Sequence, residues 1–184
     1  LPGYSVNMAI GQGDLLVNPL QMGVTFAAIA NGGNVIEPRL GWQITRTDAE
    51  TGDPIVQREY EPRVVTELGL DDVTLGEMRT GLQDVVSGGS GTATSAFVGF
   101  PLDQYPIAGK TGTAQIGSVD SGKNFAWFIS YAPTSAPQYV VSVYIEKAGH
   151  GGDSAAPVAR QIYEGIFELD DNTDVQIGSG DQSG

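Results

Sequence analysis

The chain has 184 residues, 40% of them apolar, with no cysteine, a single histidine and 22 acidic against 9 basic side chains, for a net charge of −13. That balance disfavours a nucleic acid or an anionic membrane as partner, and it leaves no disulfide frame, thiolate metal site or histidine-built zinc site. The length suits one domain with a real core, and no apolar run is long enough to span a membrane.

The chain opens at Leu1-Pro2-Gly3 with neither an initiator methionine nor a targeting segment, and it reads as a piece of something longer. Its first organised unit is Gly11-Gln12-Gly13-Asp14 followed by Asn18-Pro19-Leu20-Gln21-Met22. Asn18 suits an N-cap, Pro19 the first helical position and Gln21 the return arm of a capping box, so a helix is predicted from there to about Ala30. Asn31-Gly32-Gly33 should stop it. Leu20, Met22, Val24, Phe26 and Ala27 to Ile29 are apolar nearly all round, which predicts a buried helix. Residues 35–60 read as a polar β-hairpin, with Trp42 to Thr45 alternating and a turn over Glu50 to Pro54 before Ile55-Val56. Thr74-Leu75-Gly76-Glu77 reads as a capping box. It would open a helix with Leu75, Met78, Leu82, Val85 and Val86 on one side, ended by Gly88-Gly89. Gly91-Thr92-Ala93 starts a short helix toward Phe97, and both helices read as scaffold.

The most informative stretch is Ile107-Ala108-Gly109-Lys110-Thr111-Gly112-Thr113-Ala114-Gln115, a predicted strand bounded by Pro106 and Gly117. Alternation puts the hydroxyls of Thr111 and Thr113 on one face, where they can donate together to a carboxylate, and Lys110 and Gly112 on the other. Gly112 lets another element approach the backbone, and Lys110 supplies a cation where negative charge forms. A phosphate-binding loop would need glycine at 104, where Gln104 stands, and a helix opening at Gly112. Two more strands, roughly 125–132 and 139–147, complete an antiparallel meander. Gly149-His150-Gly151-Gly152 then breaks the chain. His150 among three glycines reads as a mobile loop residue, and Asp153 as the cap of a last helix with Val158, Ala159, Ile162, Ile166 and Phe167 inward. Residues 170–184 carry four Asp and no base, which reads as a disordered acidic tail after a body of 1–169.

Lys110-Thr111-Gly112 matches the Lys-Thr-Gly element that penicillin-binding proteins and class A β-lactamases share, beside Ser-x-x-Lys and Ser-Asp-Asn. Gly11-Gln12-Gly13, Asn18 to Met22 and Ala27 to Gly33 together resemble the segment ahead of that strand in class B penicillin-binding proteins, the monofunctional peptidoglycan transpeptidases. That family usually has threonine where Asn18 stands, and either residue caps. The run Gly13-Asp14-Leu15-Leu16-Val17 leans toward the elongation type. The resemblance covers about residues 4–169.

What the resemblance implies is an α+β fold. A three-strand antiparallel meander forms part of a five-stranded penicillin-binding or serine β-lactamase-like sheet, packed by helices, with a small polar hairpin added. It implies a serine D,D-transpeptidase that acts on the D-Ala-D-Ala end of stem peptides, is acylated by β-lactams, needs no metal or organic cofactor and works with the cell-wall synthesis machinery. It places the protein at the extracytoplasmic face of a bacterial membrane, with the anchor outside these residues. Carried over, Lys110 joins the hydrogen-bond network at the nucleophile, the Thr111 and Thr113 hydroxyls hold the carboxylate, Gly112 lies against the substrate and the Thr113 N–H is one oxyanion donor. The departure is as telling. The residues three before Lys110, Lys123 and Lys147 are Ile107, Asp120 and Tyr144, so Ser-x-x-Lys is absent. Ser5-Val6-Asn7 imitates the second motif but lies too close to Gly11. The expectation is therefore a C-terminal transpeptidase portion, inactive alone. A β-lactam sensor, a β-lactamase-like hydrolase fragment and a non-catalytic binding module are the alternatives. With the first two strands of such a sheet not in this chain, the edge from Tyr139 to Lys147 is expected either to drive self-association or to be covered by the chain's own tail or N-terminal residues.

Overall fold

The computed structural model describes residues 15–115 and 124–169, with Ser5, Val6, Met8 and Gly11. Residues 12–14, the expected strand stop at Gly117 and the expected tail at 170–184 lie outside the described residues.

Helix α1 spans Pro19–Ala30. The Gln21 N–H donates to Asn18 Oδ1 at 2.9 Å and the Asn18 N–H to Gln21 Oε1 at 3.0 Å, so the capping box forms as read. Burial is less complete than expected. Phe26, Ala28, Ile29 and Ala30, all in the second half of the helix, are buried, but Leu20 in its first turn is 62% exposed. The chain leaves α1 through Gly32 and Gly33, at φ 91° and 99°, values that glycine adopts without strain. The guanidinium of Arg79 donates to the carbonyls of Ile29 and Ala30 and closes the helix end.

Strands β1 (Asn34–Ile36), β2 (Gln43–Thr47), β3 (Pro54–Glu59) and β4 (Val64–Glu67) form two small antiparallel pairs, β2 with β3 and β1 with β4. The polar hairpin stands where it was expected, whereas Val35 and Ile36 pair outside it, with β4. Helix α2 spans Asp72–Ser87 and starts earlier than predicted. The Thr74 N–H donates to Asp71 Oδ1 at 2.7 Å, so the carboxylate of Asp71 is the cap and Thr74 lies in the first turn. That hydrogen bond holds the Asp71 carboxyl below its ordinary pKa.

A 3₁₀ helix over Thr94–Phe97 leads to the main sheet, β5 (Ala108–Gln115), β6 (Asn124–Ala132) and β7 (Tyr139–Ile145), antiparallel in the order β5-β6-β7. This is the predicted meander within an α+β fold. Strand β7 stops at Ile145, short of Lys147, which turns away at φ 55°. Gly151–Ala155 form a π-helical turn, and α3 follows over Ala156–Ile166. Asp153 is exposed within that turn and does not cap α3, whose N-cap, Ala155, has no capping side chain. The inward face of α3 also differs from the reading: Ile162 is 42% exposed, while Arg160 and Tyr163 are buried. The sheet separates two cores. Phe97, Phe128, Val143 and Tyr163 meet on the α3 side, and Phe26, Ala108, Ile129 and Tyr131 on the α1 side.

Candidate active site

Among the described residues strand β5 is an edge of the sheet, and its glycines let it lie against β6. A Cβ on Gly109 would sit 2.7 Å from Phe128 Cζ, and one on Gly112 would sit 3.1 Å from Trp127 Cβ. The first is closer than side-chain carbons pack without something shifting, and the second is tighter than most such contacts, so both positions favour glycine. The exposed Lys110 folds over the strand and donates from Nζ to the Thr111 carbonyl at 2.7 Å.

The two threonines are each met by a residue from elsewhere in the chain. Thr111 Oγ1 lies 2.6 Å from Thr92 Oγ1, and Thr113 Oγ1 lies 3.5 Å from His150 Nδ1. Thr92 and His150 are both exposed. The segment holding Thr92 is fixed from below, because buried Arg160 donates to the carbonyls of Ala96 at 3.1 Å and Val98 at 2.8 Å. Arg160 also pairs with Glu164 at 2.7 Å, one turn further along α3. The loop holding His150 is clamped by its glycines. A Cβ on Gly151 would come within 2.2 Å of the Trp127 carbonyl oxygen and 2.6 Å of that of Gly112. One on Gly152 would come within 2.2 Å of the Thr92 carbonyl oxygen. The Asp153 and Ser154 N–H groups donate back to the His150 carbonyl.

Lys110, Thr111, Gly112 and Thr113 therefore stand together on one open strand. The threonines gather Thr92 and His150 around them, two residues that sequence reasoning assigned to scaffold and to a mobile loop. The available signal was glycine: Gly91 before Thr92, and Gly151-Gly152 after His150, mark backbone that approaches other backbone closely. Chemically, paired hydroxyls on one strand face are donors for a planar anion, with the Lys110 cation on the same strand. Among the described residues, no cluster of three or more His, Cys, Asp or Glu could hold a metal ion, and no helix is long and apolar enough to cross a membrane.

The model of the penicillin binding protein transpeptidase domain matches residues 3–164. The chain belongs to that family. Within the penicillin-binding proteins it falls in the class B branch. It is 31% identical to the peptidoglycan D,D-transpeptidase MrdA of Haemophilus influenzae, over 88% of this chain and 25% of MrdA. It superposes on Pseudomonas aeruginosa PBP2, solved in complex with WCK 5153, with a TM-score of 0.71 and 29% identity, over 100% of this chain and 37% of that one. A chain of a peptidoglycan synthase complex that coordinates polymerization and crosslinking is similar at a TM-score of 0.70 and 30% identity, over 95% of this chain and 28% of the other. The chain thus spans about a quarter of the length of the curated relatives it matches.

Proposed function

We propose that these residues are the C-terminal part of a peptidoglycan D,D-transpeptidase that cross-links stem peptides by serine acyl transfer and is acylated by β-lactams. The observation that carries this reading is Lys-Thr-Gly-Thr on an open edge strand, with both hydroxyls on one face, in a chain of this family. In the reaction, the Thr111 and Thr113 hydroxyls grip the carboxylate of a D-Ala-D-Ala terminus or of a β-lactam, and Gly112 lets it lie close. The Thr113 N–H supports the oxyanion, and Lys110 stabilises charge at the nucleophile. An oxyanion donor of this kind contributes about 3–4 kcal/mol to lowering the barrier. The site sits at the extracytoplasmic face of the membrane and serves the cell-wall synthesis machinery, a reading supported by the similarity to a synthase complex.

Because Ser-x-x-Lys is absent from these 184 residues, the chain alone forms no covalent adduct. Intact-mass spectrometry after incubation with a penicillin tests this: no mass gain is expected on the chain, and a stoichiometric gain on the full-length protein. A gain on the chain alone would place the nucleophile within it.

The isolated chain self-associates through β7. Among the described residues no strand pairs with the outer edge of β7, whose outward backbone N–H and C=O groups between Tyr139 and Ile145 are open to another strand. Light scattering should report a dimer or larger species, and a monomer with a solvated edge would refute it.

A further inference from the structure

The two threonine hydroxyls of β5 can serve a carboxylate only if their hydrogens face it. A hydroxyl has one hydrogen and two lone pairs, so a neighbour that takes the hydrogen leaves only lone pairs for the anion, and these repel it. The direction of the Thr92–Thr111 and His150–Thr113 hydrogen bonds therefore bears on whether the strand attracts or repels a carboxylate.

We propose that Thr92 and His150 are positioning residues for the carboxylate end of the site. Each donates a hydrogen to a threonine oxygen of β5, so that the hydroxyls of Thr111 and Thr113 turn their own hydrogens outward to the ligand. This rests on the reading of the two threonines given above. At 2.6 Å the Thr92–Thr111 contact is short for a hydroxyl pair, and with an anion in place the chain of donors runs from Thr92 to Thr111 to carboxylate, each bond strengthening the next. His150 presents Nδ1 to Thr113 at 3.5 Å, a long approach of the kind that tightens when ligand binds.

Three independent features hold these donors in place. The 92–98 segment is tied to α3 by Arg160, itself buried and paired with Glu164. Gly151 rests on the backbone of Gly112 and Trp127, so the His150 loop is registered against the strand it serves. Gly152 rests on the Thr92 carbonyl, so the two donor segments also fix each other. Both donor side chains stay exposed, as residues beside a ligand must, although neither contributes to a core.

The test compares benzylpenicillin with its methyl ester, which has the same ring and no anion, as acylating agents of the full-length protein. The readout is the ratio of their second-order acylation rates. Thr92→Val, close in volume, should lower that ratio about tenfold, the scale of one hydrogen bond to a charged group, and Thr92→Ser should restore it. His150→Ala should lower it about threefold, in keeping with the longer bond, and His150→Asn, whose amide nitrogen can stand in for Nδ1, should recover most of the loss. Equal losses for acid and ester would mean that the residues merely clip the loops together, and no loss at all would refute a role; either overturns the proposal. If Thr92→Val does not fold, the His150 pair and Thr92→Ser against wild type decide by the same ratio. Thr111→Val and Thr113→Val separate the two levels of the argument. If they abolish the preference for the acid while the Thr92 and His150 variants keep it, this proposal alone fails. If they too leave the preference intact, the carboxylate role of the strand fails and this proposal goes with it.

Discussion

β5 and β6 are paired along the whole of β5, yet they are built to opposite specifications. β6 is the central strand. Phe128 and Ala126 fill the core under α3, Ile129 and Tyr131 fill the one under α1, and Ser130 meets Tyr163 Oη at 3.0 Å in the buried interior. β5 is an edge, with two glycines, an exposed lysine and half-buried threonines. A central strand has neighbours on both edges and both faces, so its buried polar atoms depend on internal partners, which Ser130 has and Tyr131 Oη lacks among the described residues. An edge strand may keep polar groups because one side remains open. The sheet thus gives stability to one strand and chemistry to the next, about 5 Å away.

Substitutions that exchange those roles test the contrast. Phe128→Ala should have the largest effect, a loss of about 3–5 kcal/mol in urea unfolding, since a fully buried ring leaves a cavity. Lys110→Ala and Thr113→Val should slow β-lactam acylation of the full-length protein about 10²–10³-fold. Their stability should change by less than about 0.5 kcal/mol. If they unfold the protein instead, β5 is scaffold like β6. Gly109→Ala joins the two strands physically. Its Cβ would press on Phe128, and an overpacking cost of about 1–3 kcal/mol is expected, with acylation falling as the strand shifts.

Alkaline titration sharpens the contrast from the β6 side. Burial, which outweighs the hydrogen bond from Ser130, pushes the Tyr163 phenol far up, and burial raises Tyr131 as well. A raised folded-state pKa means that the unfolded chain releases its proton first, at about pH 10. The stabilisation is complete below that value and is lost as pH rises toward the folded-state pKa, at up to about 1.4 kcal/mol per pH unit per tyrosine. Tyr163→Phe should flatten the decline of the urea midpoint above about pH 10. The smallest effect belongs to α1: Leu20→Ala, at a site 62% exposed, should change stability by less than about 0.5 kcal/mol.

Local interactions were legible in the sequence. The Asn18 capping box closes within three residues, the Gly32-Gly33 stop is a property of two neighbouring glycines, and Lys-Thr-Gly-Thr needs only the period of a strand to sort its side chains. The meander followed from three strand-length runs joined by short breaks. Even locally, a better acceptor nearby could win, as Asp71 did over Thr74 for the start of α2. What the tertiary structure decided was every contact made across long loops. Nothing in residues 34–36 announces a partner in β4, and the helical period of α3 does not reveal that Arg160 has carbonyls to receive it while Ile162 is left partly exposed. Thr92 and His150 lie 19 and 37 residues from the threonines they meet. Periodicity reports which way a side chain points from its own element. Which atom waits there depends on how separate elements pack, and that is settled only when the whole sheet and its helices close around one another.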